Sequence, residues 1–228
     1  MNIILQHFDG ELRELDKLSM ENIKGYAKMV GADYKLVTGK PFRKHLTAPC
    51  QKVYMLDEEW DKYEYVLMLD IDMFAVKGMK INVFDEPGIG LYEEVQKRLH
   101  GKIAAQYPMI ASTGTPYWGG AIYKMDLQTR RQLRRQLGGN EGWMNSYNQL
   151  YHFEDEGIIH TLAYKAGFQT YLDYLNKEPY MDRKWCQCSF LPNPKHAGFI
   201  HVRTKIKPEG PKREKIENYR NLVERGIL

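Results

Sequence analysis

Val66-Leu67-Met68-Leu69-Asp70-Ile71-Asp72-Met73-Phe74-Ala75-Val76 is the stretch that decides the fold. The apolar lead-in from Tyr65 to Leu69 reads as a buried strand, and two carboxylates then break it two residues apart. Side chains on a strand alternate between faces, so this spacing sets Asp70 and Asp72 on one side, roughly 7 Å apart. Two like charges at the end of a buried strand are costly unless something neutralises them. A divalent cation does so, and its open side then takes an anionic ligand such as a diphosphate. The plainer alternative is a strand end that emerges into solvent, because a bare D-x-D is a short pattern. The long apolar lead-in favours the cation.

The elements before this strand set its context. Asn2 to His7 reads as a first strand, with Phe8-Asp9-Gly10 as the turn at its end. Leu12, Leu15, Leu18, Ile23, Tyr26, Ala27 and Val30 have helical spacing, with Gly31 as C-cap. Ser19 and Asn22 suggest a second helix start inside that run. Tyr34 to Val37 reads as strand two, and Pro49 to Trp60 as helical through Val53, Tyr54 and Leu56. Strand, helix, strand, helix, strand is the cadence of a mostly parallel α/β sheet flanked by helices. Ligands gather at the carboxyl ends of such strands, where Asp9, Asp70 and Asp72 all fall.

Beyond Val76 the rhythm loosens. Ile89 to Glu93 reads as a strand and Val95 to Ile103 as a short helix or loop. Tyr117 to Tyr123 reads as a strand with a glycine-rich lead-in. Asp126 caps a basic helix to Leu137, ended by Gly138-Gly139, whose Arg130, Arg131, Arg134 and Arg135 are expected on a solvated face. Asp155 to Ala166 is a further helix ended by Gly167, and Phe168 to Leu172 a strand. Phe199 to Val202 is a short strand, and Lys212 to Arg225 a charged amphipathic helix.

The chain has 228 residues, without repeat or linker, so one domain is the simplest count. A chain of this size buries roughly 70–75% of its unfolded surface and needs no staples. A net charge of +4 is too small to indicate a nucleic-acid partner, and none is expected. Three cysteines, Cys50, Cys186 and Cys188, are too few for a disulfide framework and fit a reducing compartment. Cys186-Gln187-Cys188 has no second pair to complete a zinc site. Met1 to Gln6 lacks the marks of a signal peptide, and no apolar run reaches membrane-spanning length, so the expected location is the cytoplasm.

His201 stands inside the short strand near the end of the chain, with Lys205 and Lys207 just after it. An imidazole can complete a coordination sphere of carboxylates, and a lysine can neutralise phosphate oxygens. A histidine without a ligand is the alternative.

Taken in order, these motifs resemble the GT-A fold nucleotide-sugar glycosyltransferases, most closely the retaining group containing glycogenin and the lipopolysaccharide galactosyltransferases. A basic helix residue before the D-x-D strand is matched by Lys52. The family's asparagine-small-glycine step is matched loosely by Trp118-Gly119-Gly120-Ala121. Its aspartate-glutamine pair resembles Asp155-Glu156. Its histidine six residues before lysine-proline is matched by His201 and Lys207-Pro208. The sequence departs from the pattern at Trp118-Gly119, Glu156 and Thr204, where the family has asparagine, glutamine and glycine.

The resemblance implies a metal-dependent hexosyltransferase moving a sugar from a nucleoside-diphosphate sugar, with UDP favoured, to a hydroxyl on a glycan, lipid or protein. It implies one domain over 1–228, with a nucleotide-binding half (1–76), a donor and acceptor half (77–208) and a C-terminal helix (209–228). Asp70, Asp72 and His201 would hold Mn²⁺ or Mg²⁺. Lys207, with Lys205 or Arg203, would face phosphate, and Gly120 the donor sugar. Asp9, and His7 unless it is simply packed, would lie near base or ribose. Lys52 would reach ribose or phosphate, or else be a solvated helix lysine. Asp155, with Glu156 and Glu154 as fallbacks, would hold donor hydroxyls or act as base, or else cap its helix. Tyr117 and Trp118 are a sugar platform or core. A haloacid-dehalogenase-type phosphohydrolase fits less well, since Phe74 stands where it needs a threonine. A sugar-nucleotide pyrophosphorylase needs a glycine-rich loop that Phe8-Asp9-Gly10-Glu11 does not supply. A non-catalytic carbohydrate- or nucleotide-binding protein on a transferase-like fold stays open.

Overall fold

β1 (Asn2–Phe8) and β3 (Tyr65–Asp70) are apolar because both lie inside the sheet: Ile4, Leu5, Leu67 and Met68 are all fully buried. The computed structural model describes residues 1–85, 120–137, 154–167, 186–189, 198–204 and 214–228. Among these, the main sheet has the order β2-β1-β3-β5, with β2 at Asp33–Thr38 and β5 at Ile122–Asp126. β1 runs parallel to both β2 and β3, while β5 is antiparallel to β3. The register sets His7 of β1 beside Asp70 of β3, at the carboxyl ends of both strands.

The quoted stretch is not one strand. β3 stops at Asp70, Ile71 and Asp72 form a turn, and β4 (Met73–Ala75) begins after it. Backbone pairing explains the break. The Asp70 N–H donates to the Ala121 carbonyl (3.0 Å), whereas the Asp72 carbonyl accepts from Val202 (3.0 Å). The chain thus leaves the main sheet and enters a second, of order β4-β7-β6, with β6 at Cys186–Cys188 and β7 at Phe199–His201. β7 pairs antiparallel with β4, setting His201 opposite Met73. Hydrogen bonding across two sheets, rather than alternation along one strand, therefore aims the two carboxylates.

α1 (Glu14–Met29) is a single helix, closed by Gly31 at φ 67°. Ser19 and Asn22 do not start a second one. Ser19 Oγ donates to the Met73 carbonyl (2.6 Å) and accepts from Gln6 (2.9 Å), and the Asn22 amide bonds both backbone groups of Ala75. These side chains bond across to β4 instead of to their own backbone, which is why they resemble caps locally and clamp the helix tertiarily.

Pro49–Leu56 and Glu58–Trp60 form 3-10 helices rather than an α-helix. The three-residue repeat stacks i and i+3 in line, and Cys50, Val53 and Leu56 all face the core. The basic helix, α2 (Leu127–Arg135), starts at Asp126, whose carboxylate accepts from the Thr129 N–H (2.6 Å). Its arginines do not share a solvated face. Arg130 is fully buried and donates to the carbonyls of Met125 (2.8 Å), Trp60 (3.1 Å) and Tyr63 (2.6 Å), while Arg131 and Arg134 pair with Asp61. Burial pulls the Arg130 pKa down to about 10, which leaves it charged at neutral pH.

α3 (Glu154–Lys165) ends near Gly167 (φ 84°), and α4 is Lys215–Glu224. The three cysteines are buried and in no disulfide, and no helix among the described residues is long and apolar enough to cross a membrane. The elements expected at 89–93, 95–103 and 168–172, the glycines 138–139 and the strand residues before Gly120 lie outside the described residues.

Candidate functional site

A cleft of about 280 Å³ opens at the carboxyl ends of β1 and β3, beside the start of α3. Its lining includes His7, Asp9, Lys52, Gly120, Asp155, Glu156 and the D-x-D carboxylates. Of the residues the sequence offered to the site, Lys205 and Lys207, together with Tyr117 and Trp118, lie outside the described residues.

Asp70, Asp72 and His201 present one ligand atom each, all within 4.8 Å of one another. His201 Nε2 lies 3.1 Å from Asp72 Oδ1 and 3.8 Å from Asp70 Oδ2. The other ring nitrogen, Nδ1, is buried without a hydrogen-bond partner among the described residues. Burial pushes the Asp72 carboxyl up, but His201 and Lys215 outweigh burial and hold it below the ordinary carboxylate range. Two carboxylate oxygens and an imidazole nitrogen suit a divalent ion between hard and borderline, such as Mn²⁺ or Mg²⁺.

Lys52 has become a buried bridge. Its ammonium donates to Asp70 Oδ1 (2.7 Å), to the Gly120 carbonyl (2.6 Å) and to Asp155 Oδ2 (2.9 Å). An ammonium carries three N–H groups, so these contacts use all of them. Burial opposes the Lys52 charge, yet Asp155 and Asp70 more than compensate and raise its pKa. It is therefore no solvated helix lysine, and the protein already takes the donors that the sequence reading offered to ribose or phosphate.

Asp155 and Glu156, in the first turn of α3, are 2% and 7% exposed. Asp155 Oδ2 also accepts from the Tyr123 hydroxyl (3.1 Å), and Glu156 Oε1 accepts from the Gly120 N–H (2.5 Å). Burial raises the Asp155 pKa, Lys52 pulls against that, and the charge of Asp70 adds to the rise. Both acids thus face the cleft through tertiary contacts. His7 is packed as well as cleft-lining: its Nε2–H donates to the Gly39 carbonyl (2.7 Å), and burial lowers its pKa. Asp9 stands exposed at the rim.

Sequence reasoning missed Lys215 and Tyr123. Lys215, the first residue of α4, pairs with Asp72 Oδ2. A faint signal existed, since a lysine in the first helical turn opposes the helix dipole and asks for a reason.

No family model matches the chain, and no curated protein matches it in sequence. Among solved structures, it is similar to a glycosyltransferase involved in the glycosylation of the major capsid of PBCV-1. The TM-score is 0.58 at 12% identity, over 97% of this chain and 98% of that one. The chain has the GT-A fold. Two further matches are the galactosyltransferase LgtC (TM-score 0.46, 13% identity, 71% of this chain and 70% of that) and the catalytic domain of Drosophila β1,4-galactosyltransferase 7 (0.45, 13%, 74% and 63%).

Among the described glycines, Gly120 is the one that acids crowd. A Cβ there would meet Asp155 Oδ2 inside contact distance and lie 2.8 Å from both Glu156 Cγ and the Tyr123 hydroxyl. Gly120→Ala is therefore expected to destabilise by about 1–3 kcal/mol, read as a lower urea midpoint at unchanged m-value. Gly25, inside α1 with nothing within 4 Å of such a Cβ, is the contrast. Alanine there is expected to stabilise by about 0.4–1 kcal/mol.

Proposed function

We propose that this chain is a metal-dependent glycosyltransferase of hexosyltransferase type. It would move a sugar from a nucleoside-diphosphate sugar, UDP-linked by preference, to a hydroxyl acceptor on a glycan, lipid or protein. The observation that carries this reading is the meeting of Asp70, Asp72 and His201 in the strand-end cleft of a GT-A fold. A divalent ion, Mn²⁺ ahead of Mg²⁺ because of the imidazole, would supply charge stabilisation to the departing diphosphate.

The chain's own residues divide the remaining work. Arg203 lines the cleft two residues beyond His201 and adds positive charge toward phosphate, as Lys207 would by resemblance. Lys52 holds Asp70 and Asp155 in place at once, which makes it a positioning residue rather than a donor to substrate. Asp155 and Glu156 face the donor sugar or the incoming hydroxyl, and the bare backbone of Gly120 lets them pack closely against it. His7 and Asp9 stand at the end of β1, on the side assigned to base and ribose. Three cysteines in no disulfide fit a cytoplasmic setting.

Melting curves with UDP and a panel of UDP-sugars, with and without Mn²⁺, test the proposal. UDP with Mn²⁺ is expected to raise the Tm by several degrees, and chelation to abolish the rise, because a ligand bound only by the folded state stabilises it. Slow Mn²⁺-dependent release of UDP from one of the sugars is expected alongside. A chain that no nucleotide stabilises in the presence of metal sinks this reading.

A further inference from the structure

Two lysines face the acidic cluster, and they are held very differently. Lys52 is 6% exposed and locked by three partners. The Lys215 side chain is 35% exposed, and among the described residues Asp72 is its partner. Asp72 itself is fixed in the turn and buried. Of this pair, the lysine is the member free to move.

Local chemistry does not explain Lys215. Glu214 and Glu217 form a reciprocal capping box around it, satisfying the start of α4 without its help. Its ammonium sits at the positive end of the helix dipole, an unfavourable place for a cation. α4 is also anchored elsewhere. Leu222 is fully buried, Asn218 donates to the Arg203 carbonyl (2.6 Å), and Tyr219 stacks on Phe74 with ring centroids 5.0 Å apart. Releasing Lys215 therefore leaves the helix docked. What Lys215 gains in place is neutralisation of a carboxylate belonging to the proposed cation site.

We propose that Lys215 is an exchangeable counter-ion. Its ammonium pairs with Asp72 while no metal is bound, and it turns to the donor diphosphate once a divalent ion takes the carboxylate. This rests on the metal reading given above. The exchange follows from competition: an ion beside His201 at Asp72 Oδ1 and the ammonium at Oδ2 would set positive charges on both oxygens of one carboxylate, and the flexible four-carbon stem carries the displaced charge to the nearest anion.

Calorimetric titration of the full chain with Mn²⁺ alone is the first test. Lys215→Met is expected to bind Mn²⁺ about tenfold more tightly than wild type, since the competing ammonium is gone. With Mn²⁺ saturating, the same variant is expected to bind UDP about tenfold more weakly, the usual scale of one charge-assisted contact. Lys215→Arg keeps the charge, should stay close to wild type in both measurements, and controls for folding. Unchanged or weaker Mn²⁺ binding by Lys215→Met overturns the exchange, as does unchanged UDP affinity. If wild type takes up no Mn²⁺ at all, the metal reading falls and the exchange falls with it. If wild type binds Mn²⁺ and Lys215→Met fails to tighten it, the exchange alone falls.

Discussion

Lys52→Met is expected to lower the unfolding free energy by about 3–5 kcal/mol, the usual result of removing one member of a buried ion pair. The methionine nearly fills the space but leaves Asp155 without its ammonium and the Gly120 carbonyl without its donor. Urea unfolding would show the loss as a lower midpoint. The pH dependence has a definite sign. Asp155 already has a raised pKa, and losing Lys52 raises it further. A carboxyl whose folded pKa lies above its unfolded value binds a proton more readily when folded. The variant's deficit should therefore shrink as pH falls toward the unfolded carboxyl value and grow as pH rises through the folded one. Adding Asp155→Asn removes the stranded charge and should recover much of the loss, giving a coupling term for the pair. Equal destabilisation by Lys52→Met with or without Asp155→Asn would show that the ion pair carries none of the effect.

Asp72→Asn is expected to weaken Mn²⁺-dependent UDP binding by about 100-fold or more, since even partners one step removed from a metal are worth 10- to 100-fold. The amide keeps the shape of the carboxylate but not its charge, so an ion would face Asp70 and His201 alone. Folding should survive. Lys215, partly exposed, can return to water, and the cost is about 1–2 kcal/mol for the lost charge-assisted contacts. A cooperative melt close to wild type, together with lost nucleotide response, is the expected pair of results. Retained Mn²⁺-dependent UDP affinity in this variant would remove the central support for a metal at this site.

The elements that a single run of residues can specify were legible. β1, β3, the stop at Gly31 and the Asp126 cap follow from apolar runs, a positive-φ glycine and a short acceptor side chain. All of these act within a few residues of themselves. Where reading went astray, the deciding partner stood far along the chain. Ser19 looks like a helix start because its hydroxyl could bond locally, but the Met73 carbonyl takes it instead. Arg130 looks solvated beside three other arginines, but the carbonyls of Trp60 and Tyr63 draw it into the interior. Lys52 was evenly balanced between solvent and site, and only the meeting of Asp70, Asp155 and Gly120 around it removed the choice.

Sequence alone determined most of the side chains that are candidates for the chemistry. A doublet of acids closing a buried strand, a histidine near the far end and an acidic pair opening a helix can be recognised without coordinates, because residue type and short spacing are local properties. Tertiary structure decided how they meet. The turn at Ile71-Asp72 sends the chain from one sheet to another, and pairing of β4 with β7 brings the His201 imidazole to both carboxylates. It also decided that Lys52 is a fastened strut and that a partly exposed Lys215 pairs with Asp72. Burial and bonding of an ammonium depend on what packs around it, and no pattern along a single chain records that.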